Sequence, residues 1–418
     1  MFPAAPLFRY VFRQGAVEVI DAGGATYRYG DDSPPFRVRF HDRITPWKML
    51  VSTSMTLGEG YMDGRITFEN CTIYDFLELA TRNIRRLESA GNHLPLGLAI
   101  ENAARIFRFF QQFNLASRSK QNVAHHYDLS PALFELFLDR DRQYSCAYFD
   151  SLDDDIDTAQ ENKKRHLAAK LLLADGQRVL DIGCGWGGLA LYIARRFKSD
   201  VTGITLSEEQ YAAANERARN EHLSGRAAFE LRDYRAQTGQ FDRIVSVGMF
   251  EHVGVPFYRA YFDQIRSLLK DDGVAVVHTI GRSGPPNVTD PWIRKYIFPG
   301  GYIPALSEIM PVVEHAGLVA TDIEFIGPHY AETLHAWWNR FQANRDKVKA
   351  LYDERFCRMW EYYLAGSEVS FRHMGMTLFQ IQIVKNRESV PMRRDYIGEA
   401  EKTLAAAPIL TEPNRAAE

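Results

Sequence analysis

The sequence predicts an α/β fold: a mostly parallel sheet with helices on both faces, accompanied by a smaller α+β region at the N-terminus. From about residue 165, short β-rich runs alternate with helix-like segments, an order that is typical of a parallel sheet covered on both sides. A glycine-rich turn follows the first of these runs, and the first 75 residues mix short candidate strands with turn residues. These three observations indicate two regions of different construction.

The second region contains five candidate strands separated by helix-like segments. The strands are RVLDIG (178–183), DVTGIT (200–205), AAFELRD (227–233), RIVSVG (243–248) and VAVVHTI (274–280). The helix-like segments are GGLALYIARRF, EEQYAAANERARNEH and YRAYFDQIRSLLK. A further run, LFQIQIVKN at 378–386, predicts a late strand at an edge of the sheet.

The N-terminal region carries two candidate strands and two candidate helices. ATYRYG (25–30) and FRVRFHD (36–42) are the strands, and apolar residues recur at helical spacing around 73–90 and 96–114. Between residues 81 and 120 there are seven Lys or Arg and two Glu. The helix at 96–114 therefore has two interpretations: a core-packing helix with solvated arginines, or a basic amphipathic surface for anionic lipid headgroups.

Length and composition favour a two-domain globular protein. The chain has 418 residues, of which 46% are hydrophobic and 25% are charged. A net charge of -3 gives no reason to expect a nucleic acid partner. The four cysteines are far apart, which predicts reduced thiols without a disulfide framework or a metal site. Because the sequence shows neither a signal pattern nor an apolar run of membrane-spanning length, we expect a soluble, cytoplasmic protein.

The stretch VLDIGCGWGG, residues 179–188, follows a predicted strand and opens a predicted helix, and its glycines fit G-x-G-x-x-G. A dinucleotide would require an acidic residue closing the second strand, where the sequence reads VTGITLS. The pattern LDIGCG resembles instead motif I of the S-adenosylmethionine-dependent methyltransferases. That resemblance implies a cofactor turn at Gly183, Gly185 and Gly187, with Asp181 orienting the amino acid end of the cofactor. The alternative is a turn chosen only for helix–sheet packing.

Two further stretches offer polar groups where the ribose and adenine of that cofactor would lie. In TLSEEQ, which starts at Thr205 and Leu206, the hydroxyls of Thr205 and Ser207 and the amide of Gln210 can satisfy ribose hydroxyls without an acid. In RDY, residues 232–234, Asp233 can accept from the exocyclic amine of adenine and Tyr234 can cover the ring. A solvated loop end is the alternative for that pair.

Several stretches, taken in order, resemble the cyclopropane fatty acid synthases, including the mycolic acid cyclopropane synthases and related C-methyltransferases. They are QYSCAYFDS (143–151), TLSEEQ, FEHVG (250–254), HTIG (278–281), FPGGYIP (298–304) and PHYAETLHAWW (328–338). The resemblance covers roughly 120–386, implies a class I methyltransferase fold with a seven-stranded sheet, and adds Tyr144 and Ser145 to the cofactor site. LGEGYMDG at 57–64 is similar to the extra domain of the phospholipid-acting members, which favours a phospholipid substrate.

The resemblance also implies a second bound group, bicarbonate. In these enzymes a cis alkene attacks the sulfonium methyl, and the ring closes when a base removes a proton from the new methyl group. The resemblance implies that bicarbonate is this base and that it is held by the side chains of Glu251, His278 and Tyr330 and by backbone groups at Cys146 and Ile280.

Each of these side chains also has an interpretation that needs no ligand. Glu251 would favour the N-terminus of the following helix through the helix dipole. His278 would be a hydrogen-bonded core histidine at a strand end, and Tyr330 a packed aromatic residue.

Ser367 stands where many relatives carry a cysteine, which argues against a thiol mechanism or leaves the outcome of the reaction open.

We therefore expect a lipid-binding domain over 1–120, a methyltransferase domain over 121–390 and a partly disordered tail over 391–418. The expected reaction transfers a methylene group from S-adenosylmethionine to the cis double bond of an unsaturated phospholipid acyl chain. Two alternatives stay open: a C-methyltransferase with a methyl-branched or methylene product, and a non-catalytic lipid-binding protein with a vestigial cofactor site. Peripheral contact with the inner face of the membrane is expected, and a homodimer is allowed.

Overall fold

The computed structural model describes residues 2–90 and 129–406, and the chain divides into two compact units. The first unit is Met1–Arg108, Asn287–Pro299 and Tyr330–Met376, and the second is Phe109–Pro286, Gly300–His329 and Thr377–Glu418. The predicted domain boundary near residue 120 and the predicted helix at 96–114 lie outside the described residues. The predicted domain limits therefore stay predictions.

The helices and strands of the described residues are numbered here in chain order. The strands are β1 (Ala16–Ile20), β2 (Thr26–Gly30), β3 (Pro35–Phe40), β4 (Ile66–Phe68), β5 (Arg178–Ile182), β6 (Asp200–Thr205), β7 (Ala227–Leu231), β8 (Phe241–Val247), β9 (Leu269–Arg282), β10 (Val319–Phe325) and β11 (Met376–Val384). The helices are α1 (Ala5–Val11), α2 (Thr45–Val51), α3 (Thr53–Met62), α4 (Ile73–Ser89), α5 (Pro131–Phe137), α6 (Ile156–Lys170), α7 (Gly188–Arg196), α8 (Glu208–Asn220), α9 (Tyr258–Leu268), α10 (Pro291–Tyr296), α11 (Leu306–His315), α12 (Gly327–Ala343), α13 (Arg345–Leu351), α14 (Glu354–His373) and α15 (Tyr396–Ala406).

The first unit contains a four-stranded sheet in the order β2-β1-β3-β4. β1 pairs antiparallel with β2 and parallel with β3, and the two strands predicted in this region correspond to β2 and β3. α4 begins at Thr72, whose side chain accepts from the Asp75 backbone N–H while the Asp75 carboxylate accepts from the Thr72 N–H. This capping box satisfies two backbone donors that the helix leaves unpaired, and it fixes the start of the helix predicted at 73–90.

The second unit contains a seven-stranded sheet in the order β10-β11-β9-β8-β5-β6-β7. The pairings from β9 through β8, β5 and β6 to β7 are parallel, whereas β10 and β11 are antiparallel. The predicted α/β fold with a mostly parallel seven-stranded sheet is therefore confirmed. The prediction that LFQIQIVKN forms an edge strand is wrong: it lies in β11, between β9 and β10. Nearly all of β11 is buried, as an interior strand covered on both faces requires.

Two apolar clusters cover the faces of this sheet. Alternate residues of each strand point to opposite faces, so that Leu180 and Ile182 enter one cluster and Val179 enters the other. The first cluster includes residues of α9 and α11, and the second includes residues of α6, α7 and α8. Helices therefore cover both faces, as predicted. Across residues 2–90 and 129–406, none of the helices has the length and apolarity needed to cross a membrane.

The described part of the C-terminal tail ends in a helix that the sequence analysis did not predict. α15 packs on α6, and Glu401 of α15 accepts from the Nδ1 of His166 at 2.7 Å. The other ring nitrogen of His166 donates to Glu324 at 2.8 Å. Residues 407–418 lie outside the described chain.

Candidate active site

The turn between β5 and α7 uses glycine where the backbone is left-handed. Gly183, Gly185 and Gly187 have φ angles of +80°, +55° and +82°, which other residues rarely adopt. A Cβ on Gly187 would lie 2.8 Å from the Phe229 ring, so packing alone explains this glycine. A Cβ on Gly185 would meet no atom within 4 Å, so the backbone of Gly185 faces open space.

That open space belongs to a cavity at the carboxyl ends of β5, β6, β7 and β8. Ten of the twelve predicted cofactor residues line it: Tyr144, Ser145, Asp181, Gly183, Gly185, Thr205, Leu206, Gln210, Asp233 and Tyr234. The two others, Gly187 and Ser207, do not line it. Several residues that line the cavity were not predicted from the sequence, among them Arg142, Gln143, Arg235, Gly248, Met249 and His252.

The polar groups after β6 are hydrogen-bonded to one another. The Thr205 hydroxyl donates to the Gln210 side-chain carbonyl at 2.9 Å, and both residues are buried. The Ser207 hydroxyl accepts from the Gln210 backbone N–H and caps α8. Thr205 and Gln210 thus present a preformed pair to the cavity, whereas Ser207 serves the start of the helix. Their predicted contact with ribose remains a prediction.

The carboxylate after β7 is held by a residue that the sequence analysis missed. Asp233 accepts from Arg235 Nε at 2.8 Å and from its terminal nitrogen at 2.6 Å. Burial alone would raise the pKa of Asp233, but the hydrogen bonds from Arg235 outweigh that effect and lower it, so the group is ionised. The Arg235 guanidinium also lies 5.5 Å from the centre of the Tyr234 ring. Arg235 therefore orients both residues that were predicted to face adenine.

A buried lysine supports the opposite side of the cavity. Lys163 of α6 is fully buried, and its ammonium donates to Gln143 Oε1 at 2.5 Å and to the Ser145 hydroxyl at 3.0 Å. Burial lowers the pKa of Lys163 to about 8. Burial also raises the pKa of Asp181 to about 7, against the opposing charge of Lys163. Lys163 thus fixes the loop that carries Tyr144 and Ser145, and its charge favours an ionised Asp181.

Glu251 lies in a short 3-10 helix, Phe250–His252, just beyond the end of β8. Its side chain is buried, and Oε1 accepts from the Ile280 backbone N–H at 2.6 Å. Oε2 is buried and has no hydrogen-bond partner among the described residues. Burial raises the pKa of Glu251 to about 7, although the Ile280 N–H opposes that rise. A buried carboxyl oxygen without a partner is costly, so this atom is a candidate to meet a ligand.

His278, which lies in β9 four residues before the strand ends at Arg282, presents a second buried atom without a partner. It pairs with Val247 in the parallel register of β8 and β9, and it lies on the same face of β9 as Ile280, two residues on. The Gln380 amide donates to His278 Nδ1 at 3.2 Å, which puts the ring proton on Nε2. Nε2 is buried without a partner in the described chain, and burial keeps the pKa of His278 well below its ordinary value. His278 is therefore neutral and can donate from Nε2.

The three remaining predicted residues differ in their positions. Cys146 is completely buried, and its thiol donates to the carbonyl oxygen of Ala147. The Ile280 N–H is bonded to Glu251, as described above. Tyr330 lies in the first unit, where its buried ring packs against Trp337 and Phe371. The roles implied for these residues stay predictions.

A mostly parallel sheet with a glycine turn after β5 and a cavity at the strand ends defines the class I methyltransferase fold. The structure is similar to that of mycolic acid cyclopropane synthase CmaA1 in complex with SAH and CTAB, with a TM-score of 0.60 and 33% identity, covering 63% of this chain and 97% of that one. The sequence profile described as mycolic acid cyclopropane synthetase matches residues 115–381, and one described as a domain of unknown function matches residues 7–88.

Proteins of similar sequence indicate the same family. The chain is 39% identical to the cyclopropane-fatty-acyl-phospholipid synthase of Escherichia coli K12, over 82% of this chain and 86% of that protein. It is 37% identical to the tuberculostearic acid methyltransferase UfaA1 of Mycobacterium tuberculosis, over 64% of this chain and 66% of that protein. The chain therefore belongs to the mycolic acid cyclopropane synthetase family, as an S-adenosylmethionine-dependent methyltransferase of the cyclopropane-fatty-acyl-phospholipid synthase type. The sequence-based prediction of this family and enzyme class is confirmed.

Proposed function

We propose that this enzyme converts the cis double bond of an unsaturated phospholipid acyl chain into a cyclopropane ring, with a bound bicarbonate as the base. The similarity to the Escherichia coli cyclopropane-fatty-acyl-phospholipid synthase supports the phospholipid substrate, because it extends over 82% of this chain. The phospholipid is further supported by LGEGYMDG, the stretch at 57–64 that is similar to the extra domain of the phospholipid-acting members.

One observation carries the proposal of an anion-binding site. Glu251 Oε2 and His278 Nε2 are both buried and unpartnered within the described chain; Glu251 follows the carboxyl end of β8, and His278 lies in the neighbouring strand β9, opposite the last residue of β8. An Nε2 proton can donate to an anion oxygen, and a carboxylate oxygen can accept from a hydroxyl. Bicarbonate carries both groups, so these two atoms fit it.

The cavity fits S-adenosylmethionine for a separate reason. The left-handed backbone of Gly185 borders space that a Cβ would enter, and Asp181, Thr205, Gln210 and Asp233 supply polar groups around it. When bound, the cofactor supplies the electrophilic methyl group. The residues of the chain orient it: Lys163 holds the Ser145 loop, and Arg235 holds Asp233 and Tyr234.

The chain's own groups then account for proton removal without a covalent enzyme intermediate. Ring closure would require a proton to leave the methyl group that S-adenosylmethionine would supply. His278, neutral and anchored by Gln380, would hold bicarbonate through Nε2, and Glu251 would accept from the bicarbonate hydroxyl. Bicarbonate, when bound, supplies the base. Fixing these groups before the reaction lowers the reorganisation that the transition state requires.

A methyl-branched or methylene product is the second candidate. Two observations favour keeping it: the 37% identity to a tuberculostearic acid methyltransferase, and Ser367 where many relatives carry a cysteine. The products differ in the fate of the cation that methyl transfer leaves on the chain. The ring closes when the new methyl group loses a proton, a methyl-branched alkene forms when a neighbouring chain carbon loses one, and a methylene product requires a hydride shift along the chain before the methyl group loses its proton.

Mass spectrometry and proton NMR of lipids from cells that express the chain test both proposals. A cyclopropane product requires a mass gain of about 14 daltons on phospholipid acyl chains together with upfield ring protons. A branched or methylene product would lack the ring protons, and unmodified phospholipids would refute the phospholipid substrate. Thorough removal of bicarbonate from the purified enzyme should abolish turnover, and unchanged turnover would refute bicarbonate as the base.

A further inference from the structure

The helix α2 in the first unit exposes large apolar side chains to solvent. Ile44, Trp47, Leu50 and Val51 have exposed fractions of 63%, 61%, 36% and 80%. These four lie within eight consecutive residues, whereas the other exposed large hydrophobic residues of the described chain are scattered from 152 to 392. Scattered apolar residues on a surface are ordinary, but a contiguous group indicates a contact surface.

The opposite face of α2 anchors the helix to the first unit. Thr45, Pro46 and Met49 are buried, and the Asp42 carboxylate accepts from the Thr45 N–H at 2.7 Å and from the Thr45 hydroxyl at 2.6 Å. At 100° per residue, the exposed apolar side chains cover about 120° of the helix circumference on the side away from these anchors. We call the surface formed by Ile44, Trp47, Leu50 and Val51 the α2 face.

Two exposed basic residues lie in α2 and just before it. Arg43 and Lys48 are both exposed, and neither has an ion-pair partner in the part of the chain that the structure describes. Residues 43–58 contain no Asp or Glu, and the acid just before them, Asp42, is engaged by Thr45. The residues after the helix, Ser52 and Thr53, are small, polar and exposed.

We infer that the α2 face inserts into the headgroup and upper acyl layer of an anionic phospholipid bilayer. A Trp with aliphatic neighbours on one side and basic residues at the border is the composition of an interfacial membrane helix. The two unpaired cations complement the negative charge of anionic headgroups. The inference deepens the proposed function, on which it rests for the choice of a bilayer phospholipid as partner.

Sedimentation with vesicles tests this inference without any turnover. The full-length chain should sediment with vesicles of unsaturated phosphatidylglycerol. The double variant W47S/V51S should bind about tenfold more weakly or worse, because two apolar side chains no longer enter the bilayer. L152S is the matched control, since Leu152 is 85% exposed in the second unit, and it should bind like the parent. R43S/K48S should lose affinity for phosphatidylglycerol but keep its affinity for phosphatidylcholine.

Unchanged thermal stability and S-adenosylmethionine affinity in W47S/V51S would show that the variant is folded. Vesicle binding equal to that of the parent would then overturn the inference. So would a change from dimer to monomer with vesicle binding unchanged, because the α2 face would then contact a second copy of the chain. A parent that binds vesicles through the α2 face but modifies no phospholipid would refute the proposed function and leave this inference standing.

Discussion

At the scale of single residues, the site depends on where burial leaves a polar atom without a partner. Glu251 combines one strong hydrogen bond, from the Ile280 N–H, with one buried oxygen that has no partner in the described chain. A helix-capping role would place the carboxylate against backbone donors near solvent, and it would not raise the pKa to about 7. The burial of Glu251 therefore favours a ligand-holding role over the interpretation that needs no ligand.

Glu251→Gln is expected to leave S-adenosylmethionine affinity unchanged and to lower turnover about a hundredfold or more. The amide keeps the shape but can place a donor where bicarbonate needs an acceptor. Calorimetry measures the affinity, and lipid mass spectrometry measures turnover. Glu308→Gln is the control: neither Glu251 nor Glu308 lines the cavity, but the Glu308 carboxylate caps α11 by accepting from the Ala305 N–H and has no proposed part in holding bicarbonate. Turnover close to that of the parent in Glu251→Gln would contradict the assigned role.

Gly185→Val should abolish detectable cofactor binding. The side chain would enter the cavity, and a β-branched residue is strained at a φ of +55°. Gly225→Val is a suitable control, because a Cβ at Gly225 also meets nothing within 4 Å, its φ is not left-handed, and it does not line the cavity. If Gly185→Val binds S-adenosylmethionine like the parent in calorimetry, the glycine turn is not the cofactor turn.

At the scale of elements, contiguous patterns were predictable and pairings between distant segments were not. The run DVTGIT coincides with β6, because a short β-rich run bounded by turns has few alternatives. VATDIEF, which forms the edge strand β10, was missed because all of its residues are partly or fully exposed and its composition is mixed. Without knowledge of β10, β11 was placed at the edge. A local sequence pattern does not show which strands lie next to each other in the sheet.

The residues of the candidate site were also predictable only where they lie in continuous motifs. The motifs that supply Asp181, Thr205 and Glu251 are continuous stretches, so they were found from the sequence. Lys163 was missed because ENKKRHLAAK has the charge density of a solvated helix face, although Lys163 is completely buried. Gln380 was missed because its contact with His278 spans 102 residues.

Lys163→Met should weaken S-adenosylmethionine binding about tenfold or more, since the Gln143 and Ser145 side chains lose their shared donor. Lys170→Met is the matched control: Lys170 lies on the same helix and is equally buried, but its ammonium contacts Glu324 and Asp322. Both variants should lower the thermal stability, and only Lys163→Met should change the dissociation constant measured by calorimetry. Equal affinities in the two variants would limit Lys163 to a folding role.

At the scale of the whole molecule, the buried titratable groups set how stability responds to pH. Burial raises the pKa of Glu251 and of Asp181 to about 7. Burial would lower the pKa of His166, but its hydrogen bonds to Glu324 and Glu401 more than offset this and raise it. All three groups bind protons more tightly in the folded than in the unfolded chain. Their stabilising contributions are therefore present below the unfolded pKa of each group and are lost as the pH rises through the folded pKa.

The buried histidines change the stability of the folded protein in the opposite direction, and they do so at lower pH. Burial lowers the pKa of His252 to about 4 and that of His278 well below 6.5, so the unfolded chain binds the extra protons. Because of these two histidines, the folded protein becomes more stable as the pH rises to about 6.5, and the gain is complete above that pH. Below about pH 6.5, the histidines make the folded protein more stable as the pH rises, and the acids make it less stable. Above about pH 6.5, the histidines no longer oppose the loss of stability that the acids cause.

We therefore expect the melting temperature of the ligand-free enzyme to decrease between about pH 6.5 and pH 7.5, below the pH near 8 at which the lowered pKa of Lys163 begins to raise stability again. Glu251→Gln isolates one part of this change, because glutamine does not titrate. The shift of the Glu251 pKa from 4.5 to about 7 corresponds to about 3 kcal/mol of stability lost between acidic and alkaline pH. The variant should thus gain stability relative to the parent as the pH rises, with the gain complete above about pH 8. Differential scanning calorimetry across this range measures both curves. A constant difference between parent and variant at every pH would mean that Glu251 titrates normally, and that its carboxyl group is not held in the buried state described here.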